Sequence, residues 1–190
     1  MLKTLSLAIG LLLLSTFAYC QTAEEKLSAL KGQWQTSKDG FLQYKRTVQI
    51  PGLNIEDIAK RAREYYQSKS YENLTQPTAG PVILLGGTGT FKEVQASESN
   101  GVKTTVDATH YLHVASADGK AEIVITCLQY LFHIGSGSDA GYDAVLISTL
   151  YPVNAQAPRS DKLIDAFLGT TQSATARLDE IEKALKEGKP

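Results

Sequence analysis

Cysteine is nearly absent from this 190-residue chain: there are two, Cys20 and Cys127, and the first closes an apolar N-terminal stretch. A zinc site built from several cysteines is excluded by that count, and if Cys20 is removed no intramolecular disulfide can form. Histidine is also scarce, with only His110, His113 and His133. An excess of charge of one sign is missing too. The chain carries 19 basic and 20 acidic side chains, and without residues 1–20 the balance is 18 against 20. Nothing there drives binding to a phosphate backbone by counterion release, so nucleic acid is not an expected partner. Internal repeats and low-complexity tracts are absent. What remains, 43% hydrophobic and 21% charged residues, is the make-up of one ordinary globular domain with terminal extras.

Residues 1–20, MLKTLSLAIGLLLLSTFAYC, read as a secretory signal peptide. Lys3 supplies the positive end, Leu5 to Leu14 the apolar core, and Ser15, Thr16 and Ala18 the small residues before a cleavage point after Cys20 or Ala18. The apolar run is too short for a membrane span. Lipidation at Cys20 is the secondary reading, because bulky Tyr19 stands where a lipobox wants a small residue. The expected product is an exported protein of the periplasm or cell envelope with no transmembrane segment after cleavage. Residues 21–40 are expected to form an N-terminal arm with a turn or two of helix over 23–31 and Trp34 anchoring it. Residues 41–187 form the domain.

The stretch TTVDATHYLHVASADGKAEIVITCLQYLFH, residues 104–133, organises that domain. Two runs of β-branched and aromatic residues flank Asp118-Gly119, the dipeptide that favours a two-residue hairpin turn. A turn centred there sets Val114 opposite Ile123, Leu112 opposite Ile125, His110 opposite Cys127 and Val106 opposite Leu131. A slip by one residue would scatter this apolar set. Strict alternation places Tyr111, His113, Val124, Leu128, Tyr130 and Phe132 on the other side. These six residues are a candidate interaction face: an apolar outer side of a sheet calls for cover, by the closing helix, by the N-terminal arm with Trp34, or by a second copy or protein partner.

The rest of the domain follows in order. Residues 41–50 alternate as a half-buried strand ended by Pro51-Gly52. Asn54 caps a helix with Asp57 three residues on, Leu53 and Ile58 at the staple positions, and Ile58, Ala62, Tyr65 and Tyr66 as its apolar stripe. Residues 68–80 read as a polar loop. The run from Val82 through Gly86-Gly87-Thr88-Gly89 to Val94 reads as a bulged or closely packed strand. A phosphate-cradling loop would need a helix directly after the glycines. A loop over 135–141, a strand over 142–151 and a closing helix follow. The helix carries a seam of Leu163, Phe167, Thr171, Ala174, Leu178, Ile181 and Leu185, with Gly169 as a point of kinking and Gly188 as its end.

No constellation among these residues demands catalysis. His110 and Cys127 are cross-strand partners, but on the apolar side of a regular ribbon, where cysteine behaves as a small hydrophobe. Glu56 and Asp57 belong to a helix start, and Asp118 to its turn. No catalytic residue, metal ligand set or cofactor motif is assigned.

The order strand, helix, glycine-containing strand, hairpin, strand, helix carries three further marks. These are QIPGLNIEDIAKRAREYY, the strand through Gly86-Gly87-Thr88-Gly89, and YLHVASADGKAEIVITCLQY. In these the chain resembles domain of unknown function 4468, a bacterial family with a fold like the TATA-box-binding protein, over roughly Phe41 to Tyr151. The resemblance implies an exported protein of Gram-negative bacteria and supplies no catalytic residues. It gives no warrant for DNA binding, since fold does not fix function. The expectation is an α+β domain, a curved antiparallel sheet with helices packed on one face in the order β-α-β-β-β-β-α. Its expected role is that of a non-enzymatic binding or assembly module with a protein partner or homodimer. The alternative is a small hydrolase or ligand carrier with a cleft near the glycine-rich stretch.

Overall fold

The computed structural model describes residues 22–135, 141–147 and 160–188. Its elements are α1 (Ala23–Ala29), β1 (Gln35–Thr36), β2 (Leu42–Gln49), α2 (Ile55–Ser68), β3 (Glu72–Thr75), β4 (Thr78–Ala79), β5 (Val82–Ser99), β6 (Val102–Ala117), β7 (Lys120–Ile134), β8 (Gly141–Leu146) and α3 (Ser160–Glu187). All eight strands join one antiparallel sheet in the order β1-β2-β7-β6-β5-β3, with β4 on β5 and β8 on β7. The long elements keep the expected β-α-β-β-β-β-α order. The signal segment, the 136–140 part of the expected loop and the end of the expected 142–151 strand lie outside the described residues.

The chain's local signals act where they were read. Asn54 Oδ1 accepts the Asp57 amide at 2.9 Å, and the α2 stripe is buried. The hairpin turn is tied to the same helix start: the Ile55 amide donates to Asp118 Oδ1 at 2.8 Å, and the Gly119 amide to the Leu53 carbonyl at 2.9 Å. An acidic side chain is favoured there by the helix dipole. The α3 seam is buried from Phe167 to Leu185, and the helix runs through Gly169 unbroken. Gly188 ends it in a left-handed conformation, its amide on the Ala184 carbonyl at 2.8 Å. Trp34 meets Phe167 edge to face at 5.9 Å, so the arm packs against α3.

Two readings need correction. The polar loop over 68–80 contains the short strands β3 and β4, both attached to β5. All four β3 residues are exposed, so that strand leaves no alternation to read, and β4 is only two residues long.

The larger correction is in the hairpin. Its register holds from Ala117–Lys120 to His110–Cys127, but Thr109 then pairs with Gln129. Leu128 is the extra residue of a β-bulge, and beyond it Val106 faces Phe132 rather than Leu131. The insertion turns Tyr130 and Phe132 to the helix side. Tyr130 is 2% exposed and within 3.5 Å of the Thr170 hydroxyl of α3. The cause is a change of neighbour: β2 ends its pairing at Cys127, and β8 begins its own at Gln129.

A second bulge interrupts β5 between Phe91 and Gln95. There Glu93 is left-handed, and its amide donates to Asp107 Oδ1 at 2.8 Å while Lys92 Nζ reaches Oδ2 at 2.8 Å. Burial alone would raise the Asp107 carboxyl, but Lys92, the Glu93 amide and nearby His133 outweigh it and hold it below its ordinary range.

Candidate functional site

Three glycines of β5 give the site its shape, because each stands where a side chain would collide with an aromatic ring. A Cβ on Gly86 would strike the Tyr111 hydroxyl, one on Gly87 would lie 3.1 Å from the Tyr66 ring, and one on Gly89 would lie 2.7 Å from Tyr71 and 2.9 Å from His110. The glycine-rich run is thus a close-approach surface for tyrosines. Tyr66 comes from the buried stripe of α2 and donates its hydroxyl to the Leu112 and Leu85 carbonyls at 3.0 and 3.2 Å. Tyr71 is delivered by the turn after α2. Ser70 adopts φ 53°, the Tyr71 amide returns to the Tyr66 carbonyl, and the two rings meet edge to face at 5.0 Å.

Tyr71 connects two groups of opposite demand. Arg177 Nη1 of α3 donates to its hydroxyl at 3.3 Å, and the hydroxyl lies 2.9 Å from His110 Nε2. Arginine can only donate, so the phenol oxygen accepts from Arg177, which leaves its own proton free to go to the Nε2 of a neutral imidazole. Burial and then the Arg177 charge push the His110 pKa down to about 3, in accord with a neutral ring. His110 also stacks on Phe91, ring centroids 3.9 Å apart. The Arg177 guanidinium lies over Tyr71 and Phe91 at 5.7 and 5.8 Å, within cation–π range. Behind it, Glu180 Oε2 takes Tyr65 OH at 3.0 Å and Lys69 Nζ at 3.1 Å, with Arg177 Nε at 3.7 Å. Burial would raise this carboxyl, but Lys69, Tyr65 and Arg177 together lower it.

In front of these groups opens a pocket of about 400 Å³, lined by residues 69–72, 88–90 of β5, 109–110 of β6, and Arg177. It sits where the sheet is incomplete. The β3–β5 pairing reaches only Glu72–Thr88, so from Gly89 onward that edge of β5 has no strand partner among the described residues. Ser70, Thr88, Thr90 and Thr109 line it beside the charged Lys69, Glu72 and Arg177, although the register turns the three threonine side chains to the Tyr111 side, and Thr88 Oγ1 donates to the Glu72 carbonyl at 3.2 Å.

The sequence-derived face is only partly assembled. Tyr111, His113 and Val124 lie on the side away from the helices, Tyr111 and His113 half-buried and Val124 buried. Leu128 is half-buried at the bulge, whereas Tyr130 and Phe132 belong to the helix-side core. The His110–Cys127 pairing is present. Cys127 is fully buried, burial pushes its thiol up, and its histidine partner is engaged by Tyr71. That geometry does not generate a nucleophile. Among the described residues, no three His, Cys, Asp or Glu side chains are grouped as a metal centre would require, and no helix is long and apolar enough to cross a membrane. Tyr71 and Arg177 were missed from sequence. The signal for Tyr71 was present in the glycine run, which demands bulky partners from elsewhere in a chain with nine tyrosines.

No protein-family model and no curated protein matches the sequence. Solved structures do match. A TBP-like protein from Parabacteroides distasonis aligns over 77% of this chain and 96% of its own, with TM-score 0.52 and 11% identity. A DUF4468 family protein from Bacteroides ovatus aligns over 82% of this chain and 91% of its own, with TM-score 0.53 and 12% identity. The chain therefore has the TATA-box-binding-protein-like α+β fold of these two proteins, the fold that its residue-level resemblance to domain of unknown function 4468 implied.

Proposed function

We propose that this protein is an exported, non-enzymatic binding module of the periplasm or cell envelope, and that the pocket at Tyr71, His110 and Arg177 is its binding site. One observation carries the reading: polar groups from the turn after α2, from the body of α3 and from two strands converge on an open pocket, fixed by aromatic packing. Pre-arranged polar groups in a concave site are the usual mark of small-ligand recognition. The Cys127 thiol opposite His110, by contrast, is sealed in the core and held protonated by burial. Export rests on the character of residues 1–20, and intact-mass measurement tests it. Loss of 18 or 20 residues is expected, whereas a chain keeping Met1, or a diacylglyceryl mass on Cys20, contradicts soluble export.

A small-molecule fragment screen on the ¹⁵N-labelled mature protein tests the site. Shifts should cluster at the amides of 69–72 and 88–90. Clustering instead around Tyr111, Val124 and Leu128 would transfer the function to the uncovered sheet face, with a protein partner or second copy as its occupant. Absence of any cluster would remove the binding reading. Nucleic acid gains no support from the fold, since the uncovered face mixes Lys45 with Glu122 and neutral side chains.

A further inference from the structure

We propose that the pocket holds the anionic group of a small ligand, a carboxylate or a phosphate-type oxyanion, anchored by Arg177 with Lys69 beside it. This rests on the pocket being the binding site. Two cations line it against one carboxylate, that of exposed Glu72. Glu180 lines a neighbouring cleft with Phe91, Lys92 and Ser173, a cleft that shares Thr90 and Arg177 with the pocket. Its single charge is shared between Lys69 and Arg177. It fixes the two cations in place and, with Glu72, balances their formal charge, so the site would hold an anion through directed N–H donors rather than through excess positive charge.

Arg177 is also prepared for the task. Its side chain is 22% exposed, and two aromatic rings and the Tyr71 hydroxyl hold its plane. A guanidinium has five N–H donors, and Tyr71, Glu180 and Tyr65 take three at most. A planar fork with donors to spare suits bidentate recognition of a carboxylate or phosphate. Because the fork is already ordered, binding loses little side-chain freedom. Neutral His110 adds no competing charge at the pocket floor.

The test titrates the ¹⁵N-labelled mature protein with inorganic phosphate, acetate and neutral acetamide, at ionic strength held constant with sodium chloride. Phosphate or acetate should give saturable shifts at 69–72 and 88–90. Preference for one of them assigns the source of the oxyanion. Arg177→Gln should weaken that binding about tenfold or more, the scale of a charge-assisted hydrogen bond, and Arg177→Lys should weaken it less. If Arg177→Gln does not fold, Lys69→Gln carries the test, and unchanged affinity there overturns the proposal. Unchanged affinity in folded Arg177→Gln overturns it as well. Acetamide shifting the same amides as strongly would overturn the anion assignment while leaving the pocket as a binding site. Saturation by none of the three probes also overturns it, and the fragment screen then decides the pocket separately.

Discussion

On the helix-covered face, Gly169 lets α3 lie directly against the backbone of β5, where an added Cβ would strike the Val94 carbonyl. On the opposite face, Gly86 lets the Tyr111 hydroxyl lie over the same strand. Both positions forbid a side chain on paper, yet the obstacles differ in kind. The Val94 carbonyl, in the β5 bulge, can move only with the backbone that carries it, whereas the tip of a half-buried tyrosine can swing toward solvent. The covered face is thus held by contacts that relax only with the backbone, and the uncovered one by contacts that relax without it. The pocket lies at the sheet edge beside the covered face, where α3 reaches past the end of β3.

That contrast breaks most readily at the hairpin bulge. Tyr130→Asp buries a charge in the helix-side core and should cost about 4 kcal/mol, while Leu128→Asp at the bulge should cost about 1 kcal/mol. Urea denaturation of both variants checks the pair. Equal losses would mean that the two residues share a face after all.

Gly169→Ala comes next. Helix propensity alone would favour alanine by about 1 kcal/mol, but the collision with Val94 should reverse the sign and leave a net loss of about 3 kcal/mol. A neutral or stabilising result would show that α3 can lift from β5 cheaply.

The two histidines on opposite faces sharpen the comparison through pH. Burial lowers both pKa values, with Arg177 adding to the effect at His110 and Glu122 opposing it at His113. A depressed pKa contributes stability that is fully present above the unfolded value and is lost as pH falls toward the folded one. For His110 that window runs from 6.5 down to about 3. Between pH 6.5 and about pH 4.5 the loss should reach about 2 kcal/mol. His110→Gln should flatten the slope of stability against pH in this window, and His113→Gln should flatten it less. An unchanged slope in His110→Gln would mean that the imidazole is not held neutral. The smallest effect belongs to Gly86→Ala, which should cost under about 1 kcal/mol as Tyr111 moves aside; a larger thermal shift would show that Tyr111 is pinned.

Much of this fold was legible in the sequence because its signals are local. Asp118-Gly119 centred the hairpin, Asn54 capped α2, and the four-and-three spacing of Phe167 to Leu185 declared α3. The failures share a different origin. Leu128, Tyr130 and Phe132 alternate faultlessly, so a period of two keeps them on one face. The bulge that separates them is set by β7 passing from β2 to β8, a tertiary event. The β5 bulge is likewise closed by Asp107 from the neighbouring strand. Arg177 sits between Ala174 and Leu178 of the seam, and in one dimension it is an ordinary charge on the helix flank. Only the approach of Tyr71 and Phe91 from other elements makes it a held, pocket-lining group.

The central claim is that the pocket beside Arg177, rather than the uncovered sheet face, is where this protein binds. Native mass spectrometry of the protein isolated from its host without refolding tests it most directly, with Arg177→Gln removing the guanidinium from the pocket. The account predicts a monomer carrying a small-molecule mass that Arg177→Gln lowers or abolishes. A monomer with no added mass, or a dimer that Leu128→Asp converts to monomer, would contradict it.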